Sequence, residues 1–174
     1  IFGELISNPA LKVLDVAAVS KTAHEAGIPL FVDSTTATPY VAKPLKLGAD
    51  VVIHSTSKYI NGGGNSIGGI IVDGGSFEWD FDKHKALSEF KKFGKRAFSV
   101  RLRTDLWENF GGCMAPMNAF FNNIGLDTLG LRMAKICENA DALAKALDEL
   151  EGIEVDYLTL KHHPYHEYVE KELN

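Results

Sequence analysis

Short apolar runs alternate with helical repeats through the first third of the chain, the pattern of a parallel sheet covered by helices. Val16, Val19, Ala23 and Ala26 recur at spacings of three and four and predict a helix over Val13 to Ala26. Asp15 is placed to cap it, and Gly27 with Pro29 stops it. Leu30-Phe31-Val32 then predicts a buried strand ending in the polar cluster Asp33-Ser34-Thr35-Thr36. After a helical or irregular stretch to Gly48, Val51-Val52-Ile53 repeats the arrangement, followed by His54-Ser55-Thr56-Ser57-Lys58. Both strands deliver polar residues to their carboxyl ends, the edge at which open α/β sheets bind ligands.

A glycine-rich stretch from Asn61 to Gly69 leads into a third strand, Ile70-Ile71-Val72, and a turn at Asp73-Gly74-Gly75. Ser76 to Lys95 mixes Trp79, Phe81, Phe90 and Phe93 with many charges and reads as a surface excursion with some helix. From Asp127, the residues Leu129, Met133, Ile136, Ala140, Leu143, Leu147 and Leu150 hold one helical face until Gly152. Ile153 to Tyr157 alternates like a strand that should find a partner. The chain opens at Ile1-Phe2-Gly3 without an initiator Met, as if in mid-strand, and reads as an internal piece of a larger protein.

Composition supports a globular chain: 174 residues, 45% hydrophobic and 24% charged. A formal net charge of −5 argues against binding that neutralises a phosphate backbone, so no nucleic-acid partner is expected. No apolar run approaches the ~20 residues of a membrane span, and the expected location is cytoplasmic. Cys113 and Cys137 stand far apart without metal-ligand spacing and read as reduced core residues. His162, His163 and His166 read as solvated side chains on a terminal segment, and no metal site is expected. Phe120 and Phe121 read as core or interface, and Arg101 and Arg103 as surface-paired.

Lys58 draws attention because it stands among hydroxyls at a strand end. A lysine held there can lose its proton and attack a carbonyl to form a Schiff base. Alone it would read as a solvated loop residue, and Asp33 alone as a turn or helix cap. Their pairing points elsewhere, with Asn8, Asp33 and Lys58 spaced 25 residues apart along the chain. Pyridoxal phosphate asks a protein for a lysine, a carboxylate to keep its ring nitrogen protonated, and hydroxyls for its phosphate. The glycine stretch is neither a dinucleotide fingerprint nor a phosphate loop, because it follows the lysine and leads into a strand.

Val32-Asp33-Ser34-Thr35 with Ala37-Thr38-Pro39, and Ser55-Thr56-Ser57-Lys58-Tyr59 before glycines, resemble the cofactor motifs of the Cys/Met-metabolism family of pyridoxal-phosphate enzymes. Ser7-Asn8-Pro9, Pro116-Met117-Asn118-Ala119-Phe120, the Gly125 to Leu129 segment and Arg132 extend the resemblance over nearly the whole chain. It implies an aspartate-aminotransferase-like (fold type I) three-layer α/β/α architecture, present in part. Residues 1–125 would belong to the large cofactor-binding domain, 126–151 would form the long connecting helix, and 152–174 would begin a truncated C-terminal domain. Carried over residue by residue, the resemblance makes Lys58 the catalytic Schiff-base lysine and Asp33 the partner of the pyridine nitrogen. Ser55 and Ser57 match the phosphate-binding positions, Asn8 lies near the phenolic oxygen and substrate carboxylate, and Thr35 lies beside the ring. Where relatives often carry His in the glycine stretch, this chain has Gly62-Gly63-Gly64.

The long segment from Gly75 to Lys95 and Gly111 to Pro116 resemble the homocysteine synthases of the family, the O-acetylhomoserine sulfhydrylases. The implied reaction is γ-replacement on O-acetylhomoserine by sulfide or a thiol, yielding homocysteine. Cystathionine γ-synthase or a γ-lyase on the same site is the alternative. A further one is an incomplete, non-catalytic piece or partner subunit. The resemblance also implies a homo-oligomer, dimer or tetramer.

Overall fold

The computed structural model describes residues 1–173; Asn174, the last residue of the expected C-terminal piece, lies outside them. Four strands form one sheet in the order β1-β2-β3-β4: β1 (Phe2–Glu4), β2 (Phe31–Asp33), β3 (Val51–Ser55) and β4 (Gly69–Asp73). The first three run parallel, with Gly3 opposite Val32 and Asp33 opposite Ile53. β4 is antiparallel to β3, with Ser55 opposite Gly69. The parallel sheet expected from the first third of the chain is present in β1–β3, and β4 joins it antiparallel because residues 56–68 double back at one edge instead of crossing over through a helix.

Helix α1 (Val16–Glu25) follows the predicted repeat, and Asp15 caps it by accepting the Ala18 N–H at 2.9 Å. It buries Val16 and Ala23 against the sheet face that carries Val32 and Val52, the main core with Leu5 and Leu30. A single turn, α2 (Thr38–Val41), and a 3₁₀ turn (Pro44–Leu47) lead into β3. Ser20 fastens α1 to that connection through a 2.6 Å bond to the Gly48 carbonyl.

The aromatic segment after β4 is more than a surface excursion. Phe77 and Leu87 are buried, Trp79 stacks on Phe98, and Phe98 meets Phe31 of β2 edge-on at 5.3 Å. The segment thus covers the second face of the sheet at the amino end of β2. Its 3₁₀ run Lys85–Arg96 kinks at Gly94 and continues through α3 (Ala97–Arg101), a π-helical Leu102–Trp107 and α4 (Glu108–Phe110). This helical stretch was detectable in Phe98, Leu102, Leu106 and Phe110, spaced by four.

The long helix α5 spans Pro116–Asp148 and so begins well before Asp127. Pro116 occupies its first turn, where a missing N–H costs nothing. Its first turns face the protein through Asn122 and Gly125, which interrupt any apolar repeat. Leu129 and Met133 are buried as expected, whereas Leu143 and Leu150 are exposed and Ala144 takes the inward position. Ile153 to Tyr157 is irregular, because no strand among the described residues lies alongside it. A short helix α6 (His166–Glu172) returns to α1 through Lys171 and Asp15 at 2.5 Å.

Two minor expectations are corrected. Cys113 is exposed and only Cys137 is partly buried; both are free thiols. His163 is buried and bonded to Asp156 at 2.8 Å, although His162 is exposed as expected. The described residues contain no His, Cys, Asp and Glu cluster suited to a metal ion. Among the described residues no helix is long and apolar enough to cross a membrane.

Candidate functional site

Asp33 ends β2 and Ser55 ends β3, and the parallel register with strand alternation sets Asp33, Ile53 and Ser55 on one face. Thr35 ties the two strand ends together. Its N–H donates to Asp33 Oδ1 at 2.9 Å, and its Oγ1 accepts the Ser55 N–H at 2.8 Å. Asp33 Oδ2 carries no hydrogen bond or ion pair among the described residues, so one carboxylate oxygen can accept a proton donor. Next to Ser55, on the other face, His54 is buried with Nδ1 3.0 Å from the Ser34 carbonyl. A carbonyl only accepts, so Nδ1 carries the proton. Burial pulls the His54 pKa below its ordinary value, against smaller opposing effects of that bond and of Asp33, and favours the neutral ring.

After Ser55 the chain turns tightly through Lys58. The Asn61 N–H donates to the Thr56 carbonyl at 2.9 Å, and the Gly62 N–H to the Lys58 carbonyl at 2.8 Å. The returning strand closes the loop: Thr56 N–H reaches the Gly68 carbonyl, and Ser57 Oγ accepts the Gly68 N–H at 2.9 Å. Lys58 Nζ has no partner among the described residues and faces a cavity of about 760 Å³. Asn8, Thr35, Ser57, Tyr59, Gly62 and Arg132 share that wall. Four of the six nominated site residues therefore line one space. Asp33 and Ser55 do not line it, and reach it through Thr35.

Helix α5 holds the lysine turn from outside. A Cβ on Gly125 would stand 2.2 Å from the Ile60 carbonyl oxygen, so glycine lets the helix touch the turn's backbone. Asn122, buried, accepts from Ser66 Oγ at 2.9 Å and donates to Thr56 Oγ1 at 3.0 Å. Arg132 donates to the carbonyls of Tyr59, Ile60 and Gly125. Reasoning from sequence assigned no role to these three. The one local signal was a glycine inside a helical run, which marks a close approach. Within the glycine stretch, Gly62 lies against Arg132: a Cβ there would stand 2.4 Å from Nη1, at φ +70°.

Other features lie apart from this chemistry. A larger cavity than the lysine one, about 890 Å³ along β4 beside Arg96, Arg103 and Trp107, contains none of the nominated residues. Next to the lysine cavity an apolar one of about 500 Å³ includes Cys137, whose thiol burial pushes up and keeps protonated. Arg101 pairs with Asp105 at 3.2 Å, as expected of a surface arginine. Phe120 is exposed.

The requirements of pyridoxal phosphate match what is present: an unpaired lysine amine in a cavity of sufficient size, hydroxyls beside it, and a carboxylate with a free oxygen at the neighbouring strand end. Comparison with known proteins agrees. The pattern of the family described as Cys/Met metabolism PLP-dependent enzyme matches residues 1–174. The O-acetyl-L-homoserine sulfhydrylase of Leptospira meyeri is 40% identical over 171 residues, covering 88% of this chain and 39% of the relative. The L-methionine gamma-lyase of Fusobacterium nucleatum is 35% identical over 175 residues, 99% of this chain and 39% of the relative. An O-acetylhomoserine (thiol)-lyase structure from Campylobacter jejuni, carrying N'-pyridoxyl-lysine-5'-monophosphate, superposes with a TM-score of 0.90 at 31% identity. It covers 100% of this chain and 45% of that one, so the chain spans under half the length of these relatives. Motifs, sheet-edge cavity and these similarities converge: the chain belongs to the Cys/Met-metabolism family of pyridoxal-phosphate-dependent enzymes.

Proposed function

We propose that the protein carrying this chain catalyses γ-replacement on O-acetylhomoserine, with sulfide or a thiol displacing acetate at Cγ to give homocysteine. The carrying observation is the unpaired Lys58 amine facing a cavity shared with Asn8, Thr35 and Ser57, with Asp33 held behind Thr35. Pyridoxal phosphate, when bound, supplies the electron sink for the charge left when a proton leaves an amino acid's α-carbon. Lys58 Nζ would anchor the cofactor and, once released by the substrate amine, take protons from Cα and Cβ as acetate leaves Cγ and return one to each carbon after sulfide or a thiol adds, steps that typically contribute about 10²–10⁴ in rate. Asp33, whose Oδ2 is left free among the described residues, would hold the ring nitrogen protonated, a charge-assisted bond worth about 1.5–3 kcal/mol. Ser55 and Ser57 would supply hydroxyls to the phosphate, Thr35, which fixes Asp33, would flank the ring, and Asn8 would offer its side-chain amide to the substrate carboxylate.

The names of the sulfhydrylase relatives support replacement; the gamma-lyase relative supports elimination on the same residues as the second reading. Product analysis separates them: ammonia and 2-oxobutanoate released steadily without thiol would establish elimination and refute replacement. The same reading places residues 1–125 in the cofactor domain, 126–151 in the connecting helix and 152–174 in a C-terminal domain, with a cytoplasmic homo-oligomer as the working form. Exposed Met117 and Phe120 on α5 support association with further protein. Borohydride reduction after adding pyridoxal phosphate is expected to label Lys58, and Lys58→Ala to abolish both label and turnover. A Lys58→Ala protein that keeps the cofactor's visible imine band would refute the assignment.

A further inference from the structure

Helix α5 meets the lysine turn along one stripe, Asn122, Gly125, Leu129, Arg132 and Met133, and Arg132 is its most heavily engaged member. Nη1 donates to the Tyr59 carbonyl at 2.8 Å, Nη2 to those of Ile60 at 3.2 Å and Gly125 at 2.8 Å, and Nε to Thr128 Oγ1 at 3.0 Å. A guanidinium has five N–H donors in a rigid fork, so these bonds occupy four of them. Its partners are carbonyls and a hydroxyl, and none of the carboxylates described lies within ion-pair distance. Two of the carbonyls belong to the two residues that directly follow Lys58. The guanidinium also lies close to Gly62, where the chain leaves the turn: a Cβ there would stand 2.4 Å from Nη1.

An arginine engaged in this way is a brace and has little donor capacity left for a substrate carboxylate. An ammonium, a point charge on a flexible stem, cannot span the same three carbonyls. We propose that Arg132 is a positioning residue for Lys58: it pins Tyr59 and Ile60 to α5 and thereby sets where Nζ stands in the cavity. The inference rests on the reading of Lys58 as the cofactor-anchoring lysine.

The test uses the protein expressed from its complete reading frame, with Arg132→Gln, Arg132→Lys and Thr128→Val variants. Three quantities are read: the rate of borohydride-trapped loading of Lys58 by pyridoxal phosphate, the pH midpoint of the cofactor's absorbance band, and kcat separately from KM. Arg132→Gln is expected to slow loading and lower kcat by about 10–100-fold, the scale of a displacement near 1 Å, and to shift the pH midpoint while KM stays within about threefold. Arg132→Lys, which keeps the charge without the fork, is expected to resemble Arg132→Gln. Full recovery in Arg132→Lys, a rise in KM alone, or a lowered melting temperature with all three readouts unchanged would each overturn the proposal. Should both Arg132 variants fail to fold, Thr128→Val releases only Nε and is expected to slow loading by about 2–5-fold, a milder loss of positioning; unchanged loading overturns the brace. Wild-type protein that loads no cofactor at Lys58 overturns the functional reading and this inference together, whereas equal loading of wild type and Arg132 variants overturns only the inference.

Discussion

Gly125→Ala isolates the contact between α5 and the lysine turn with one added methyl group. Its Cβ would stand 2.2 Å from the Ile60 oxygen, 2.4 Å from the Asn61 oxygen and 2.8 Å from the Asn61 carbonyl carbon, all main-chain atoms. No rotamer change relieves that clash, so the turn or the helix must move by about 1 Å, and Lys58 moves with the turn. Overpacking of this kind costs about 1–3 kcal/mol, while Ala in place of Gly within a helix returns about 1 kcal/mol. The net loss of about 0–2 kcal/mol lowers the melting temperature by at most about 8 °C in a chain of this size. Activity is expected to suffer far more, with kcat/KM lower by about 10–100-fold, because a misplacement near 1 Å disrupts the reacting geometry. Gly130→Ala on the same helix is the control. Its Cβ would meet only the Tyr40 ring, at 3.5 Å, an ordinary contact. That variant is expected to gain up to about 1 kcal/mol by helix propensity and to keep its activity. Calorimetry and steady-state kinetics on both variants decide the matter. A Gly125→Ala enzyme within about threefold of wild type, or a Gly130→Ala enzyme equally impaired, would refute the idea that α5 positions the lysine turn.

The remaining predictions concern a buried amide and a buried acid. Asn122→Ala would leave Thr56 Oγ1 and Ser66 Oγ without their partner and is expected to cost about 1–3 kcal/mol, read as a lower urea midpoint; an unchanged midpoint would contradict it. Glu172 is buried, neither carboxylate oxygen has a hydrogen bond among the described residues, and Lys171 Nζ is 3.8 Å away. Burial first, and the nearby charge of Asp15 second, push its pKa above the ordinary 4.5. Folding therefore favours the protonated acid. Its stabilising contribution is complete below pH 4.5 and is lost as pH rises through the folded-state pKa. Glu172→Gln is expected to melt higher than wild type at pH 7 by roughly 1 kcal/mol equivalent, with the gap closing in acid. A gap independent of pH would show that burial of the charge is not its cause.

Much of the site was readable along the chain because strand ends declare themselves locally. An apolar run that stops in hydroxyls, a carboxylate and a lysine marks the carboxyl edge of a sheet, and Asp33, Ser55, Ser57 and Lys58 all sit where that pattern put them. Helix α1 was equally clear, since its stripe, its Asp15 cap and its Gly27 stop agree with one another. Asn8 and Thr35 reach the cavity too, although neither has a periodic pattern that would announce it. The start of α5 and the strand expected at Ile153 to Tyr157 were misjudged for opposite reasons. Asn122 and Gly125 hid a helix whose inward face grips polar backbone, and residues 153–157 alternate correctly but have no neighbouring strand to complete a ladder.

The sequence by itself therefore determined the kind of chemistry, that of pyridoxal phosphate, and that the lysine, carboxylate and hydroxyls proposed to serve it stand at or just past strand ends. Only the tertiary structure decided how those residues are held. The reversal of β4, the Thr35 bridge between strand ends, and the grip of Asn122, Gly125 and Arg132 on the lysine turn join residues separated by up to 73 positions. Local pattern reports which face of its own element a residue prefers. It carries no information on which distant carbonyl an arginine will meet, because that depends on how independently formed elements pack.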